Sequence, residues 1–331
     1  MPSSRGLRVP RSRRAFLSYA GILAVGSTVG AGAVLHRSDA PDHTLPSPSG
    51  SSGYVGAGNP TGLRDFGAWR GRPADFAVDY LARGSWSDIE TPTWWLTSWS
   101  TARLPLVLGV PMLLEKGSSL QAGAAGEYDS HFRGLARNLV SAGFARADLR
   151  VGWEMNGDWY AWTAAHDPAA WVTYHRRIVE AMRSVDGQGF TFTWNTSLGA
   201  AAMPAERAWP GGDFVDHIGV DVYDSKWGDP TATVQQRWQW LRTQDHGLDW
   251  TATFAAGHDK RLVLPEWGLS STELDDGGGG GDDPYFVQRM AEWATGHRIR
   301  YEAYFDDGRQ KISSGLFPTA AGVYRELVRA G

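Results

Sequence analysis

Eight short apolar runs recur along this chain, and each leads through a loop into a stretch with helical spacing. They fall at 54–56, 76–81, 104–110, 149–153, 190–194, 217–222, 261–265 and 301–305. Strand-sized runs that alternate with helices build parallel βα units, because consecutive parallel strands need a crossover long enough to hold a helix. No Gly-x-Gly-x-x-Gly turn follows the first run. The pattern therefore predicts an α/β fold of the (β/α)8 TIM-barrel class in place of a doubly wound dinucleotide sheet. The clearest helix opens at Asp167 and Pro168, a cap followed by proline, and carries Trp171, Tyr174, His175, Ile178, Val179, Met182 and Val185 on one stripe. A second helix starts near Ser130 and stops at Gly143, and a third follows Pro284. In the first βα unit, 63–69 suffices only for a short helix, and 76–81 fits a helix as well as a strand.

Three segments are expected. Residues 1–40 read as an export signal: Arg5, Arg8, Arg11, Arg13 and Arg14 precede an apolar, Gly-rich run at 19–35. Within it, Ser12-Arg13-Arg14-Ala15-Phe16-Leu17 resembles a twin-arginine signal, and Ala31-Gly32-Ala33 offers a small-x-small cleavage site. An uncleaved anchor is the alternative, since a run of about 17 apolar residues just spans a bilayer. Residues 41–53, rich in Pro, Ser and Gly, read as a flexible linker, and 54–331 as a single catalytic barrel. The expected location is secreted or at the cell surface, with no stable membrane span after signal cleavage, and the expected state is a monomer.

Composition narrows the chemistry. A net charge of −4, from 32 basic and 36 acidic residues, leaves no electrostatic footprint for nucleic acid. With no cysteine, disulfides, thiolate metal sites and cysteine nucleophiles are excluded. The histidines show no His-Glu-x-x-His spacing, so no metal site and no cofactor is expected. The run of glycines at 277–281, flanked by aspartates, lacks both phosphate-loop and calcium-loop spacing and reads as a mobile rim loop after the seventh strand.

A TIM barrel carries its chemistry where strands end. Chemistry-bearing side chains do cluster there: Glu154 follows the fourth run, Asn195 the fifth, Asp221 and Tyr223 the sixth, Glu266 the seventh, Asp306 and Asp307 the eighth. Glu154 and Glu266 are the catalytic candidates, because glycoside hydrolysis needs one protonated carboxyl group to release the leaving oxygen and one ionised group to attack or to activate water. Trp159, Tyr160 and Trp162 follow Glu154 closely, and flat rings suit pyranose faces. The candidate substrate-binding residues are Trp153, Asn156, Trp162, Trp194, Tyr223 and Trp267. Asp221 falls one step deeper than Tyr223 on the same strand face and is expected to lie outside the site.

Trp-Glu-Met-Asn-Gly-Asp-Trp-Tyr-Ala-Trp at 153–162 resembles the acid/base segment of glycoside hydrolase family 26, and Pro-Glu-Trp-Gly at 265–268 is similar to its nucleophile segment. The resemblance covers about 54–325. It implies a TIM-barrel retaining glycosidase in which Glu154 is the general acid/base, Glu266 the nucleophile, and Tyr223 a hydrogen-bond donor to the nucleophile. The sequence departs from the pattern at Trp153, where β-mannanases of the family usually carry histidine. The expected activity is endo-hydrolysis of a β-linked polysaccharide: β-mannan, another β-glycan or an exopolysaccharide. A non-catalytic carbohydrate-binding protein on the same barrel and a transglycosylase are the alternatives.

Overall fold

The computed structural model describes residues 50–199, 201–226, 229–273 and 278–330. The expected signal at 1–40 and the linker as far as 49 lie outside the described residues. Eight parallel strands form one sheet: β1 (Gly50–Tyr54), β2 (Ala77–Tyr80), β3 (Leu106–Val110), β4 (Asp148–Val151), β5 (Thr191–Ser197), β6 (His217–Asp224), β7 (Arg261–Leu269) and β8 (Tyr301–Phe305). Neighbours in the sheet are neighbours in sequence, apart from the β1–β8 pair that wraps the ends together. The ring closes between β1 and β2, where the Asp75 N–H donates to Ser51 O at 3.0 Å and the Ser52 hydroxyl donates to the Phe76 carbonyl. This is the predicted (β/α)8 barrel.

Helices cover the outside: α1 (Pro60–Arg70), α2 (Trp86–Glu90), α3 (Thr93–Ser100), α4 (Leu120–Ala124), α5 (Asp129–Ser141), α6 (Pro168–Arg183), α7 (Val234–Thr243), α8 (Leu248–Gly257), α9 (Pro284–Gly296) and α10 (Pro318–Ala330). α6 starts as predicted, with the Asp167 side chain accepting from the Ala170 N–H at 2.9 Å ahead of Pro168. The first βα unit departs from expectation. β1 begins at Gly50, inside the stretch read as linker, and α1 runs the full eleven residues from the Asn59 cap to a left-handed Gly71. The small side chains of β1 are what tertiary contacts require: a Cβ on Gly53 would lie 2.5 Å from the Phe66 ring, and the buried Arg70 donates to Ser51 Oγ at 2.9 Å and Ser51 O at 3.1 Å.

Strand alternation separates two environments. Leu149, Val151, Trp194, Ile218, Val220 and Leu264 belong to the large core between sheet and helices. Phe76, Val78, Val107, Val263, Tyr301 and Ala303 form the smaller core inside the barrel. The interior is also polar at its base. Asp148, fully buried, accepts from Thr191 Oγ1 at 3.0 Å, Thr193 Oγ1 at 2.8 Å and Tyr301 Oη at 2.6 Å, and sits 3.3 Å from His217 Nδ1. One carboxylate thereby joins β4, β5, β6 and β8. Burial pushes its pKa upward, but the charge and hydrogen bond of His217, with the hydroxyl donors, outweigh burial and hold it below the usual aspartate value.

A depressed pKa contributes stability that is present above the unfolded value of 3.8 and is lost as the pH falls through the folded value. Asp148→Ala should cost about 3–5 kcal/mol near neutral pH. Urea unfolding of both proteins should show the gap narrowing as the pH is taken below about 4; a gap that stays constant into acid would contradict the assignment.

Candidate active site

The fourth strand ends earlier than its apolar pattern suggests. β4 stops at Val151, and Gly152 (φ 61°) and Glu154 (φ 55°) both adopt left-handed backbone. At Gly152 only glycine fits, since a Cβ would meet Met112 Sδ at 2.3 Å. At Glu154 the conformation is strained for a side chain of that size, at a cost of about 1–3 kcal/mol, and such strain collects at functional sites. The turn is fixed from outside. The Glu154 N–H donates to Asn195 O at 2.9 Å, and the Asn156 side chain pairs with both Ser197 N and Ser197 O at 2.9 Å. Trp159 Nε1 then donates to Glu154 Oε2 at 2.7 Å.

Glu266 reaches the barrel mouth by a different device. The β6–β7 register runs Gly219 to Val263 and resumes Asp221 to Glu266, so β7 carries one extra residue at Leu264–Pro265. Pro265 has no N–H to give to a ladder and tolerates the bulge. Without the extra residue, alternation from the inward Val263 would turn Glu266 toward the helices. With it, the carboxylate accepts from Tyr223 Oη at 2.6 Å and from the Tyr80 hydroxyl on β2. Tyr80 crosses β3 only because Gly109 has no Cβ, which would lie 2.5 Å from the ring. Burial raises both phenols far above the usual tyrosine range, so they are hydroxyl donors at neutral pH.

Arg150, on β4 and fully buried, links these groups. It donates to Asp221 Oδ2 at 2.6 Å, Tyr80 Oη at 2.8 Å and Asn195 Oδ1 at 2.9 Å, and its Nη1 lies 3.7 Å from Glu266 Oε2. Glu154, Asp221 and Glu266 each bring a carboxylate oxygen within 4.8 Å of the others. At that spacing two ionised carboxylates repel by about 3 kcal/mol at an effective dielectric near 20. Burial raises the Asp221 pKa well above its usual value, and the charges of Glu266 and Glu154 add to this against the pull of Arg150.

Asp221 thus belongs to the site, contrary to expectation: one step deeper along β6 is the depth at which Arg150 and both glutamates meet. Among the described residues these three carboxylates are the group close enough to share a cation. Arg150 already supplies positive charge there, so the donor set suits proton transfer.

The predicted ring platforms do not line the mouth. Trp194 is on the outer face of β5, where its Nε1 donates to Ala208 O at 2.9 Å and its ring packs on Trp209 and Phe254. Trp267 faces α9 and α10, with Nε1 2.5 Å from Glu302 Oε2 and its ring against Phe286, Tyr304 and Tyr324. Strand alternation sends both away from the cleft. Trp162 is fully buried with Nε1 on Trp153 O at 2.9 Å, and Trp153 is buried with Nε1 on Tyr160 Oη at 2.9 Å. These rings build the support under the Glu154 turn. Asn156 has its amide engaged by Ser197 and acts on the same turn.

The rings that do surround Glu266 come from other strands. Tyr223 and Phe305 lie 6.1 Å apart, Phe305 and Tyr54 4.7 Å, Tyr54 and Tyr80 5.0 Å, and Tyr80 and Trp153 5.3 Å. Tyr54, Tyr80 and Phe305 are the last residues of β1, β2 and β8, the position where barrel strands present side chains to the mouth, and Phe305 alone also ends its apolar run in the sequence. The described part of the glycine run is hydrogen-bonded to its surroundings. Gly280 N–H donates to Asp224 O at 3.1 Å and Gly281 N–H to Ser270 O at 2.9 Å, while Arg237 bridges Asp224 and Asp283 at 2.7 and 2.6 Å. Residues 275–277 lie outside the described residues.

Residues 148–238 match the model of glycosyl hydrolase family 26. This segment carries the likeness to that family. It contains Glu154, Asn195, Asp221 and Tyr223, and Glu266 lies beyond it. No curated protein sequence matches the chain. Among solved structures, the chain is similar to a modular endo-β-1,4-mannanase from Cellulomonas fimi, with TM-score 0.55 and 18% identity, over 81% of this chain and 65% of that one. A Bacillus subtilis mannanase gives TM-score 0.53 and 12% identity over 85% of each chain. A β-mannanase from a symbiotic protist of the termite Reticulitermes speratus gives 0.53 and 12%, over 85% of this chain and 87% of that one. These likenesses show the same barrel fold as family 26 mannanases, and the chain spans just under two thirds of the Cellulomonas fimi protein's length.

Arg150→Leu should destabilise the protein by about 3–5 kcal/mol, because Asp221 would be left as an unpaired buried charge. Adding Asp221→Asn to that variant should recover part of the loss in chemical denaturation. Strictly additive losses would mean that the two side chains are not energetically coupled.

Proposed function

We propose that this protein is an exported retaining glycoside hydrolase that cleaves a β-linked polysaccharide internally, with Glu266 as nucleophile and Glu154 as general acid/base. The observation that carries this reading is the convergence of the two carboxylates, from β4 and β7, to within 4.8 Å. Retaining pairs stand about 5–5.5 Å apart and inverting pairs about 6.5–9.5 Å, and facing oxygens within 4.8 Å support the closer, retaining arrangement.

In the first step an oxygen of Glu266 forms a bond to the anomeric carbon as the glycosidic C–O bond breaks, and Glu154 gives its proton to the departing oxygen. Tyr80 and Tyr223, one on each carboxylate oxygen, aim the nucleophile. In the second step Glu154 takes a proton from water. The resulting oxygen attacks the same carbon, the ester bond to Glu266 breaks, and two inversions leave the configuration unchanged. Trp159 orients Glu154 in both steps. Two carboxylates and water suffice for this sequence.

β-Mannan is the first substrate to test, because the similar structures are named as mannanases. Trp153 stands where histidine is usual, and its indole N–H is committed to Tyr160. Recognition beside the cleavage point therefore differs, and other β-glycans and exopolysaccharides belong in the same panel. Export rests on the Arg13-Arg14 motif and the apolar run behind it. Among the described residues no helix is long and apolar enough to cross a membrane.

On whichever glycan yields new reducing ends, Glu154→Gln and Glu266→Gln should each lower kcat/KM by about 10²–10⁴-fold, and NMR of the first product should show the anomeric configuration of the substrate. Variants that both keep most activity, or an inverted first product, would sink the mechanism. Replacing Arg13 and Arg14 by Lys should leave the full chain inside the cell on fractionation; undiminished appearance outside would argue against twin-arginine export.

A further inference from the structure

Most tryptophans here are buried, but Trp94 is 64% exposed, and its surroundings hold it in place. It lies in the first turn of α3, which follows α2 in the connection out of β2, and its ring rests on Gly58 in the loop out of β1. Both loops leave the C-terminal ends of strands, so Trp94 stands on the same rim as Glu154 and Glu266. Gly58 is left-handed (φ 58°), and a Cβ there would come within 2.4 Å of Trp94 Cζ3, so the ring packs on bare backbone.

The buried Asp79 carboxylate ties the two loops together. One of its oxygens accepts from Trp95 Nε1 at 2.5 Å, Trp99 Nε1 at 2.6 Å and the Gly58 N–H at 2.7 Å. The next residue is Tyr80, which donates to Glu266. The aromatic arc around Glu266 also passes through Tyr54, the last residue of β1, from which the chain runs directly to Gly58. The indole rests on Gly58 by one side and leaves most of its surface to solvent on the rim.

We infer that Trp94 is a sugar platform for units of the polysaccharide lying beyond the cleavage point, where the chain leaves the mouth over the β1 and β2 loops. The apolar C–H face of a β-linked pyranose covers the indole and removes apolar surface of both from water. Because Asp79 ties α3 to the loop that carries Gly58, the backbone on both sides of the ring is set before binding, and less ordering has to accompany it. This inference rests on the glycosidase reading above.

The test is affinity electrophoresis of the full chain through gels containing soluble β-mannan, glucomannan, mixed-linkage β-glucan or xylan, alongside reducing-end assays. Trp94→Ala should weaken retention about tenfold on the glycan that retards the wild type, and Trp94→Phe should restore most of it. Trp240→Ala, which removes a tryptophan from α7, should migrate like the wild type, and unchanged melting temperatures would show that folding is intact. If Trp94→Ala is retained as strongly as the wild type on a glycan that the protein cleaves, the platform is rejected and the glycosidase reading stands. If no glycan is either bound or cleaved, both fall.

Discussion

A guanidinium buried at the centre of a barrel has to be compensated on every side, and the arrangement around Arg150 follows from that need. Its donors reach Asp221 on β6, Asn195 on β5 and Tyr80 on β2, and Glu266 on β7 lies close by. Desolvation works against the charge, yet the surrounding carboxylates and phenols raise the Arg150 pKa further above its already high value. The mouth of the barrel is therefore braced by the same network that places the proposed nucleophile. A stable fold and a charged cleft are compatible here because the repulsion among three carboxylates is spent against one cation that cannot lose its proton.

The two glutamates reach that network by different backbone irregularities. Regular strands would carry side chains to the mouth only at the parity that alternation dictates. Glu154 is delivered by a left-handed turn immediately beyond β4, Glu266 by an extra residue at a proline in β7. Each departure is supported by its surroundings: Asn156, Trp159 and Asn195 hold the first, while Tyr80 and Tyr223 receive the second. Their carboxylates are consequently positioned by groups on four of the eight strands or the loops beyond them, so that their separation depends on much of the barrel.

The aromatic content divides in the same way. Trp153, Trp162, Trp194 and Trp267 are framework, each with its indole N–H matched to an internal acceptor. Tyr54, Tyr80, Tyr223 and Phe305 form the wall of the mouth, and Trp94 extends it onto the rim. Indoles serve well under a strained turn, where volume and one fixed donor are needed. Phenols serve at the carboxylate, where a hydroxyl near a charge is needed.

The periodicity of the apolar runs alone determined the barrel, since strands that alternate with helices have few other ways to bury their faces. The placement of Glu154 and Glu266 after such runs likewise identified the carboxylate pair, because barrel strands end at the functional rim. Three matters needed the tertiary structure. The rings that face the cleft depend on strand parity, which a bulge invisible in composition reverses along the end of β7, turning Glu266 inward and Trp267 outward. Asp221 joins the site because of depth along β6, and depth depends on how the strands are staggered against Arg150. Gly50 to Gly53 read as linker because local preference for Gly and Ser is low in strands, whereas Phe66, Arg70 and Tyr304 leave room at β1 only for side chains that small.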